Sequence, residues 1–555
     1  MKLRSLIMLV ILGCGMLAAS ASAQLSRGGT PPSFEHATKA SVPTVRTGDV
    51  DVAKLLAEDD ADAKLGVPFR FGFPFDVHYN LNNSGVWEKL DDGSKVWRLR
   101  IECPKAYSTN LLFDDFFLPE GVKLYLYTDD HSMVSGAFTS QNNKKSDKFA
   151  TAPLKGSACT LELFVPADVG YPGRLEVSRI VHGYKDVFFN PDKDFGDAGS
   201  CNNNVHCPVG DPWANEIRAV AMITTSGGFR LCSGSMVNNV RQDLTPYFLT
   251  ANHCLSGGGS DTWVFIFNYE SPNCNNIDGP TWASIAGSTL RATNTYSDFA
   301  LLELSAQPPD SYNVYYGGWS AVDTAASSVV GIHHPEGDIK KISFDYDPVT
   351  STEYLGTTPG ETHWRIGSWD DGTTEPGSSG SPIYDPAHHV VGQLHGGYAS
   401  CTSLTSDYYG KFSKSWDHGT TSSTQIKYWL DPDNTGVMML DGRDGAGIKI
   451  DHTPLTDTRD SLNDYVVTAT ITSNTDLVPD SLLLYYDVNS MSYTNVLQPT
   501  GNLNEFSASI PAQSPGTVIQ YYLYAVDVEG KADTTDTYTF RVIDYGVTLA
   551  PSADS

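Results

Sequence analysis

From about Val67 to about Val542 the chain is written largely in short runs of alternating apolar and polar residues, cut by Gly, Asn and Asp. Lys95-Val-Trp-Arg-Leu-Arg-Ile101, Val122-Lys-Leu-Tyr-Leu-Tyr127 and Ile519-Gln-Tyr-Tyr-Leu-Tyr-Ala525 are examples. Side chains of an extended chain point alternately to opposite faces, so a period of two predicts half-buried strands. Helix is expected only over Val52–Ala63 and Thr424–Leu430. The expected fold class is therefore all-β. At 555 residues one core cannot serve the whole chain, and three or four folding units are expected.

The boundaries follow from composition. Residues 1–23 read as an export signal: Lys2 and Arg4, an apolar run from Leu6 to Leu12, then Ala21-Ser22-Ala23. The run is too short to cross a bilayer, and no later stretch suffices either, so stable membrane insertion is not expected. Leu12-Gly13-Cys14 departs from a lipid-attachment site at Ile11 and Leu12. Residues 24–193 form a leading region, polar and poorly ordered before the predicted helix and β-rich from about residue 67. Residues 194–442 hold most of the cysteines and many short strands, which suits β-barrels. Asp441-Gly-Arg-Asp-Gly-Ala-Gly447 reads as a linker. Residues 448–555 suit an immunoglobulin-like or fibronectin-like β-sandwich.

The formal charge of −28 argues against nucleic-acid binding, which needs a basic face. Of nine cysteines, Cys14 lies in the export signal. The remaining eight, an even number in an exported chain, are read as disulfide-forming. Cys103 and Cys159 are paired with each other on this reading. Cys232 and Cys254 would close a loop of about twenty residues, a crosslink of roughly 3 kcal/mol in the chain-entropy model. No metal is expected: Cys201 and Cys207 lack zinc spacing, and His333-His334 and His388-His389 lack a carboxylate at ligand spacing. Asp431-Pro-Asp433-Asn-Thr-Gly436 begins like a calcium loop but has Gly442 where a glutamate is needed. No cofactor motif occurs.

Three stretches of the cysteine-rich unit carry chemistry together. Tyr247-Phe-Leu249 leads into Thr-Ala-Asn-His253-Cys254, Asp298 precedes the apolar run Phe299-Ala-Leu-Leu302, and Thr374-Glu-Pro-Gly-Ser-Ser-Gly-Ser-Pro382 holds three serines. Ser379 is the expected nucleophile, because flanking Gly377 and Gly380 let the backbone turn and aim the N–H groups of Gly377 and Ser379 at a developing oxyanion. Ser378 and Ser381 are its rivals. His253 would move the proton, and Asp298, buried by its apolar run, would fix the imidazole tautomer. The order His, Asp, Ser is that of the chymotrypsin-like peptidases and not of subtilisins or α/β-hydrolases.

Longer stretches carry a closer resemblance: Ile217-Arg-Ala-Val220, Phe248-Leu-Thr-Ala251, Leu301-Leu-Glu-Leu304, Ile332-His-His-Pro335, Thr374 to Tyr384, Gly392-Gln-Leu-His-Gly-Gly397 and Trp429-Leu-Asp-Pro432. With His253-Cys254 and Ser297-Asp298-Phe299, these resemble the bacterial lysyl endopeptidases over residues 201–442. The resemblance implies a chymotrypsin-like double β-barrel, with His253, Asp298 and Ser379 in the cleft between the barrels. It implies a secreted enzyme that cuts on the carboxyl side of lysine through an acyl-enzyme. It also implies the disulfides Cys201–Cys401, Cys207–Cys274 and Cys232–Cys254.

Asp407, in Ser406-Asp407-Tyr-Tyr-Gly410, corresponds to the carboxylate that receives the lysine ammonium; Thr373 stands where trypsin carries its aspartate. His395 corresponds to a histidine on which the family stacks a tryptophan, and Tyr354 is the nearest replacement here. Trp364 and Trp369 are read as packing residues. The resemblance makes residues 24–193 a pro-region that assists folding and blocks the site. Ser378 replaces the aspartate of the trypsin zymogen switch, and self-processing is expected at Lys193-Asp194 or nearby. The expected partners are lysine-containing proteins or peptides, with a surface or polymer as a further partner of the last sandwich, and the protein is expected to be monomeric. Two rival readings are a broader Lys/Arg specificity and a non-catalytic adhesin.

Overall fold

The computed structural model describes residues 29–543 apart from 37, 64–66, 187–197, 226, 257–258, 357–359, 446, 474–475, 490, 503 and 529–530. The expected export signal, Cys14 and Lys193 lie outside the described residues. The fold is all-β, as the period of two requires, with short helices at Val52–Ala63, Ala214–Ala219, Phe412–Asp417 and Lys427–Leu430. The last falls within the predicted Thr424–Leu430. Among the described residues, no helix is long and apolar enough to cross a membrane.

The leading unit is a sandwich. One sheet runs 44–46, 95–102, 158–165, 123–128, 134–138, with 86–89 on the side; the other runs 154–155, 108–117, 174–183, 72–80, with 149–150 on the side. Trp97, Leu99, Phe113, Leu124, Leu161 and Ile180 close the core between them.

Two sequence expectations fail here. Residues 29–46 are partly structured: Thr44–Arg46 pairs in parallel with Arg100–Glu102, the Ser33 N–H donates to buried Glu162 at 2.8 Å, and the Phe34 ring stacks on His131. The outer face of that sheet carries Arg98 and Glu162, and the early segment covers both; Arg98 donates to the Thr38 hydroxyl. The second failure is the Cys103–Cys159 bridge, because both thiols are free and buried. Register explains this. Cys159 lies opposite Ile101, while the Cys103 N–H donates to Ser157 O at 2.7 Å. The two are diagonal neighbours rather than a facing pair, and a cross-strand disulfide needs its two Cβ atoms close and aimed at each other.

The central unit has two sheets. The first runs 284–286, 264–266, 220–225, 230–236, 247–251, 299–304, 288–294. The second runs 203–204, 341–345, 329–333, 382–384, 389–397, 405–411, 363–368, 350–352, joined by 318–320 and 439–440. Each folds around its own apolar centre. Phe248, Phe265 and Leu302 lie in the first, and Ile366, Ile383 and Tyr409 in the second. The three disulfides implied by the resemblance are all present.

The leading unit docks on the first central sheet. Phe69–Arg70 adds as a strand to Arg230–Leu231, and Phe71, Leu112 and Val181 share a core with Met222, Leu231 and Ile266. Asn110 Nδ2 donates to Gly228 O, and Arg230 pairs with Asp62. Among the described residues, nothing in 29–186 hydrogen-bonds or ion-pairs with His253, Asp298, Ser379 or Asp407.

The segment 441–447 is not a free linker either. Arg443–Asp444 pairs with Tyr315–Tyr316, and a Cβ on Gly442 would lie 2.4 Å from the Tyr315 hydroxyl oxygen. Its glycines permit close approach. Beyond it, residues 448–543 form a two-sheet sandwich, with 448–452, 465–473, 505–510 and 498–499 facing 491–496, 483–488, 518–526, 532–534 and 538–541.

Candidate active site

His253 and Asp298 meet because their strands pair. Tyr247–Ala251 lies antiparallel to Phe299–Leu304, with Ala251 opposite Phe299, so the next residues of one and the previous residue of the other share a sheet end. Asp298 turns back at φ +54°, and its carbonyl accepts from Asn252 N–H. Its carboxylate accepts twice from His253: Oδ1 from the backbone N–H at 2.9 Å and Oδ2 from Nδ1–H at 2.7 Å. This assigns the Nδ1–H tautomer to His253 and leaves Nε2 as an acceptor. Asp298 is 2% exposed. Burial opposes its charge, but His253 and then His395, with the hydrogen bonds from His253, hold its carboxyl below the usual range.

The loop around Ser379 comes from the second sheet and rests on the first. Ser233 N–H donates to Ser379 O at 2.7 Å, Ser233 Oγ donates to Gly377 O at 3.0 Å, and Cys254 Sγ lies 3.9 Å from Ser379 O. The Cys232–Cys254 bridge joins the residues that flank these contacts. Gly377 has φ +99°, and a Cβ there would stand 2.9 Å from His334 O; on Gly380 it would stand 2.1 Å from Thr250 Oγ1. The N–H groups of Ser378, Gly380 and Ser381 donate to Glu375, Leu394 and Ser378 carbonyls, respectively. Among the described residues, no acceptor is present for the N–H groups of Gly377 and Ser379. Ser378 and Ser381 are fully buried, whereas Ser379 is partly exposed.

His333 supports this loop from behind. Ser343 O–H donates to Thr373 O, so Ser343 Oγ accepts from His333 Nε2–H at 3.0 Å, and His333 Nδ1 accepts from Ser378 O–H at 2.8 Å. The side chain at the position of the zymogen-switch aspartate is thus held by an internal histidine.

Asp407 lies on the strand Thr405–Lys411, between Gly397 and Ile366 of its two neighbours. It is buried, and Oδ2 accepts from Trp369 Nε1–H at 2.7 Å and from Thr374 Oγ1–H at 2.6 Å. A Cβ on residue 397 would fall 2.2 Å from Oδ1, so only glycine fits beside the carboxylate. No cation pairs with Asp407 among the described residues. Burial raises its carboxyl above the usual value. Tyr354 stacks on His395 with ring centroids 3.5 Å apart, so the tyrosine does take the stacking place. The His395 Nε2 is 3.6 Å from Asp298 Oδ2.

Sequence reasoning missed Trp369 and Thr374 as partners of Asp407, and it missed His333 and His363. Trp364, by contrast, is the packing residue expected, its indole donating to Val391 O. The rejected calcium loop is a capped turn in which Asp431 accepts from Thr435 and Gly436 N–H groups.

Four histidines near the site are enclosed. Burial first, then neighbouring charges, takes His333, His334 and His363 down to about 3 and His395 to about 4. Unfolding raises each toward its ordinary 6.5, so the unfolded chain binds more protons between those values. Stability should therefore fall as pH drops from about 6.5 to about 4, by up to about 1.4 kcal/mol per pH unit for each histidine. The raised carboxyls of Asp345 and Asp407 offset part of this slope. Urea midpoints of the Ser379→Ala protein at pH 7 and pH 4.5 read it out. A clearly lower midpoint at pH 4.5 is expected, and equal midpoints would show that these imidazoles are not buried neutral.

Residues 195–410 match the family model of the lysyl endopeptidase C-terminal domain. Over 283 residues, 47% of this chain, the sequence is 31% identical to the lysyl endopeptidase of Pseudomonas aeruginosa, and the match spans 60% of that relative's length. Among solved structures, a Glu endopeptidase in complex with MPD aligns over 40% of this chain and 93% of its own, at 18% identity and TM-score 0.26. The MamO protease domain of Magnetospirillum magneticum aligns over 36% and 94%, at 13% identity and TM-score 0.25. Residues 195–410, which carry His253, Asp298, Ser379 and Asp407, thus match the lysyl endopeptidase C-terminal domain, and the chain spans about three-fifths of the length of the lysyl endopeptidase it is similar to.

Proposed function

We propose that this protein is a secreted serine endopeptidase that cuts peptide bonds on the carboxyl side of lysine, with His253, Asp298 and Ser379 as its triad. The observation that carries the reading is the buried Asp298 carboxylate accepting two hydrogen bonds from His253, beside a glycine-bounded serine loop with two N–H groups that have no acceptor among the described residues. Ser379 Oγ attacks the scissile carbonyl carbon while His253 Nε2 takes its proton. The carbonyl oxygen, now an anion, accepts from the N–H groups of Gly377 and Ser379. The C–N bond then breaks, and His253 returns the proton to the leaving amine. Water repeats the sequence on the acyl-enzyme and restores Ser379.

Asp407 supports the lysine preference. It is a buried carboxylate with no paired cation among the described residues, and such a group favours one brought by a ligand. Trp369 and Thr374 both donate to Oδ2, and the Ala399 backbone N–H also supports the carboxylate, whose Oδ1 lies beside Gly397. A carboxylate already held by three protein donors suits an ammonium, a compact point charge, better than a guanidinium, which uses a bidentate fork. His395 and Tyr354 complete the wall around Asp298.

Residues 24–193 act in this reading as a pro-region. Their docking on the first central sheet supports a role in folding that sheet, and self-processing at Lys193-Asp194 or nearby separates the two parts. Three disulfides in the central unit support export to an oxidising compartment.

A biotinylated fluorophosphonate followed by peptide mass mapping tests the reading. Adduct on the Ser379 peptide is expected. An unlabelled protein, or label on another serine, would refute it.

A further inference from the structure

We propose that His363 is a positioning residue of this site, which fixes His395 in the tautomer whose Nε2–H faces Asp298. The inference rests on the triad reading above and extends it by one residue.

Four contacts form a line. Thr362 Oγ1 is 2.6 Å from His363 Nδ1, and His363 Nε2 is 3.0 Å from His395 Nδ1. His395 Nε2 is 3.6 Å from Asp298 Oδ2, which accepts from His253 Nδ1–H. The ends of this line fix its direction. A carboxylate only accepts, so an N–H on His395 Nε2 attracts Asp298 while a lone pair there repels it. A neutral imidazole with its proton on Nε2 has an acceptor at Nδ1. His363 Nε2 must then be the donor, its own Nδ1 must accept, and Thr362 O–H must donate. Reversing any one link sets two lone pairs or two protons against each other.

The line is neutral as well as directed. His363 is fully buried, and His395 is mostly so. The groups facing His363 are His395, Asp298, Lys411 and the Tyr354 ring, whose centroid is 5.4 Å away. Lys411 donates to Asp323 and Ser351, so its charge is already matched. The backbone holds His363 on both sides, opposite Gly410 on one strand and Thr352 on the other. Tyr354 clamps the far face of His395.

The consequence falls on Asp298. With His395 in this tautomer, the carboxylate has a neutral dipole on one side and His253 on the other. Its charge stays available to the imidazolium that forms on His253 during acyl transfer. A His395 ring free to flip or protonate would set a lone pair or a competing cation at the same oxygen.

The experiment compares His363→Leu with His363→Gln, whose side-chain amide N–H can stand in for the imidazole Nε2–H. Leucine should lower kcat roughly tenfold to a hundredfold, the usual range for a partner that orients an active-site histidine, with KM little changed and the acid limb of kcat displaced. Glutamine should return kcat to within about threefold of wild type. Nitrogen-15 spectra of the wild-type protein should show His395 with an unprotonated Nδ1 and a protonated Nε2, a readout that needs no variant to fold. A leucine variant with wild-type kcat and pH limb would overturn the proposal. So would equal losses in both variants, or a His395 proton on Nδ1. If Ser379→Ala kept full activity, the triad reading would fail instead, and that outcome is separate from these.

Discussion

Replacing Ser379 with alanine is expected to lower kcat by about a million-fold, the scale seen when a serine peptidase loses its nucleophile. The structure gives this residue no other work. Its side chain is partly exposed, its carbonyl is pinned by Ser233 N–H, and its own N–H has no acceptor among the described residues. The alanine variant should therefore fold, keep its three disulfides and bind substrate. The cradle of N–H groups would remain, so a residual rate about a thousandfold above water is expected. Adding Asp298→Asn to the alanine variant should cost little more, because residues that act as one unit do not add. Steady-state kinetics on a lysyl amide test this. A variant with near wild-type turnover would move the chemistry to another residue.

Asp407→Asn is expected to lower kcat/KM for lysyl substrates by roughly a hundredfold to a few thousandfold. Removing one partner from a buried ion pair costs about 3–5 kcal/mol, and each 1.4 kcal/mol is tenfold. Asparagine is nearly isosteric, and its amide oxygen can still accept from Trp369 and Thr374 where Oδ2 now does. The loss should thus be electrostatic rather than structural. Reaction with a small fluorophosphonate, which needs no charge in the pocket, should change only a few-fold. An unchanged lysyl kcat/KM would remove Asp407 from recognition, and an equal loss in both assays would point to collapse of the pocket wall.

Much of the site was legible because its pieces are local in sequence. His253 and Asp298 each adjoin an apolar run, and those runs became the two paired strands that bring them together. The glycines around Ser379 were legible for a similar reason, since they mark where a side chain would strike Thr250 or His334. What stayed hidden depends on register between distant strands. Trp369 reaches Asp407 only because Ile366 lies opposite Asp407, and His363 reaches His395 only because both flank the same central strand. No spacing along the chain encodes either meeting.

The same cause misled the reading of Cys103 and Cys159, where an offset of two residues separates neighbours from partners. Gly442 and Gly445 read as part of a linker in sequence and serve close packing against Tyr315 and Tyr316 in the fold. The early segment looked too polar to order, yet its polar groups meet Arg98 and Glu162 on the outer face of a sheet.

Sequencing the new C-termini produced when the purified protein digests a denatured substrate tests the central claim most directly. Lysine should occupy nearly all of them, and the Ser379→Ala protein should produce none. Arginine in comparable number, a scatter of residue types, or cleavage that survives the alanine substitution would contradict it.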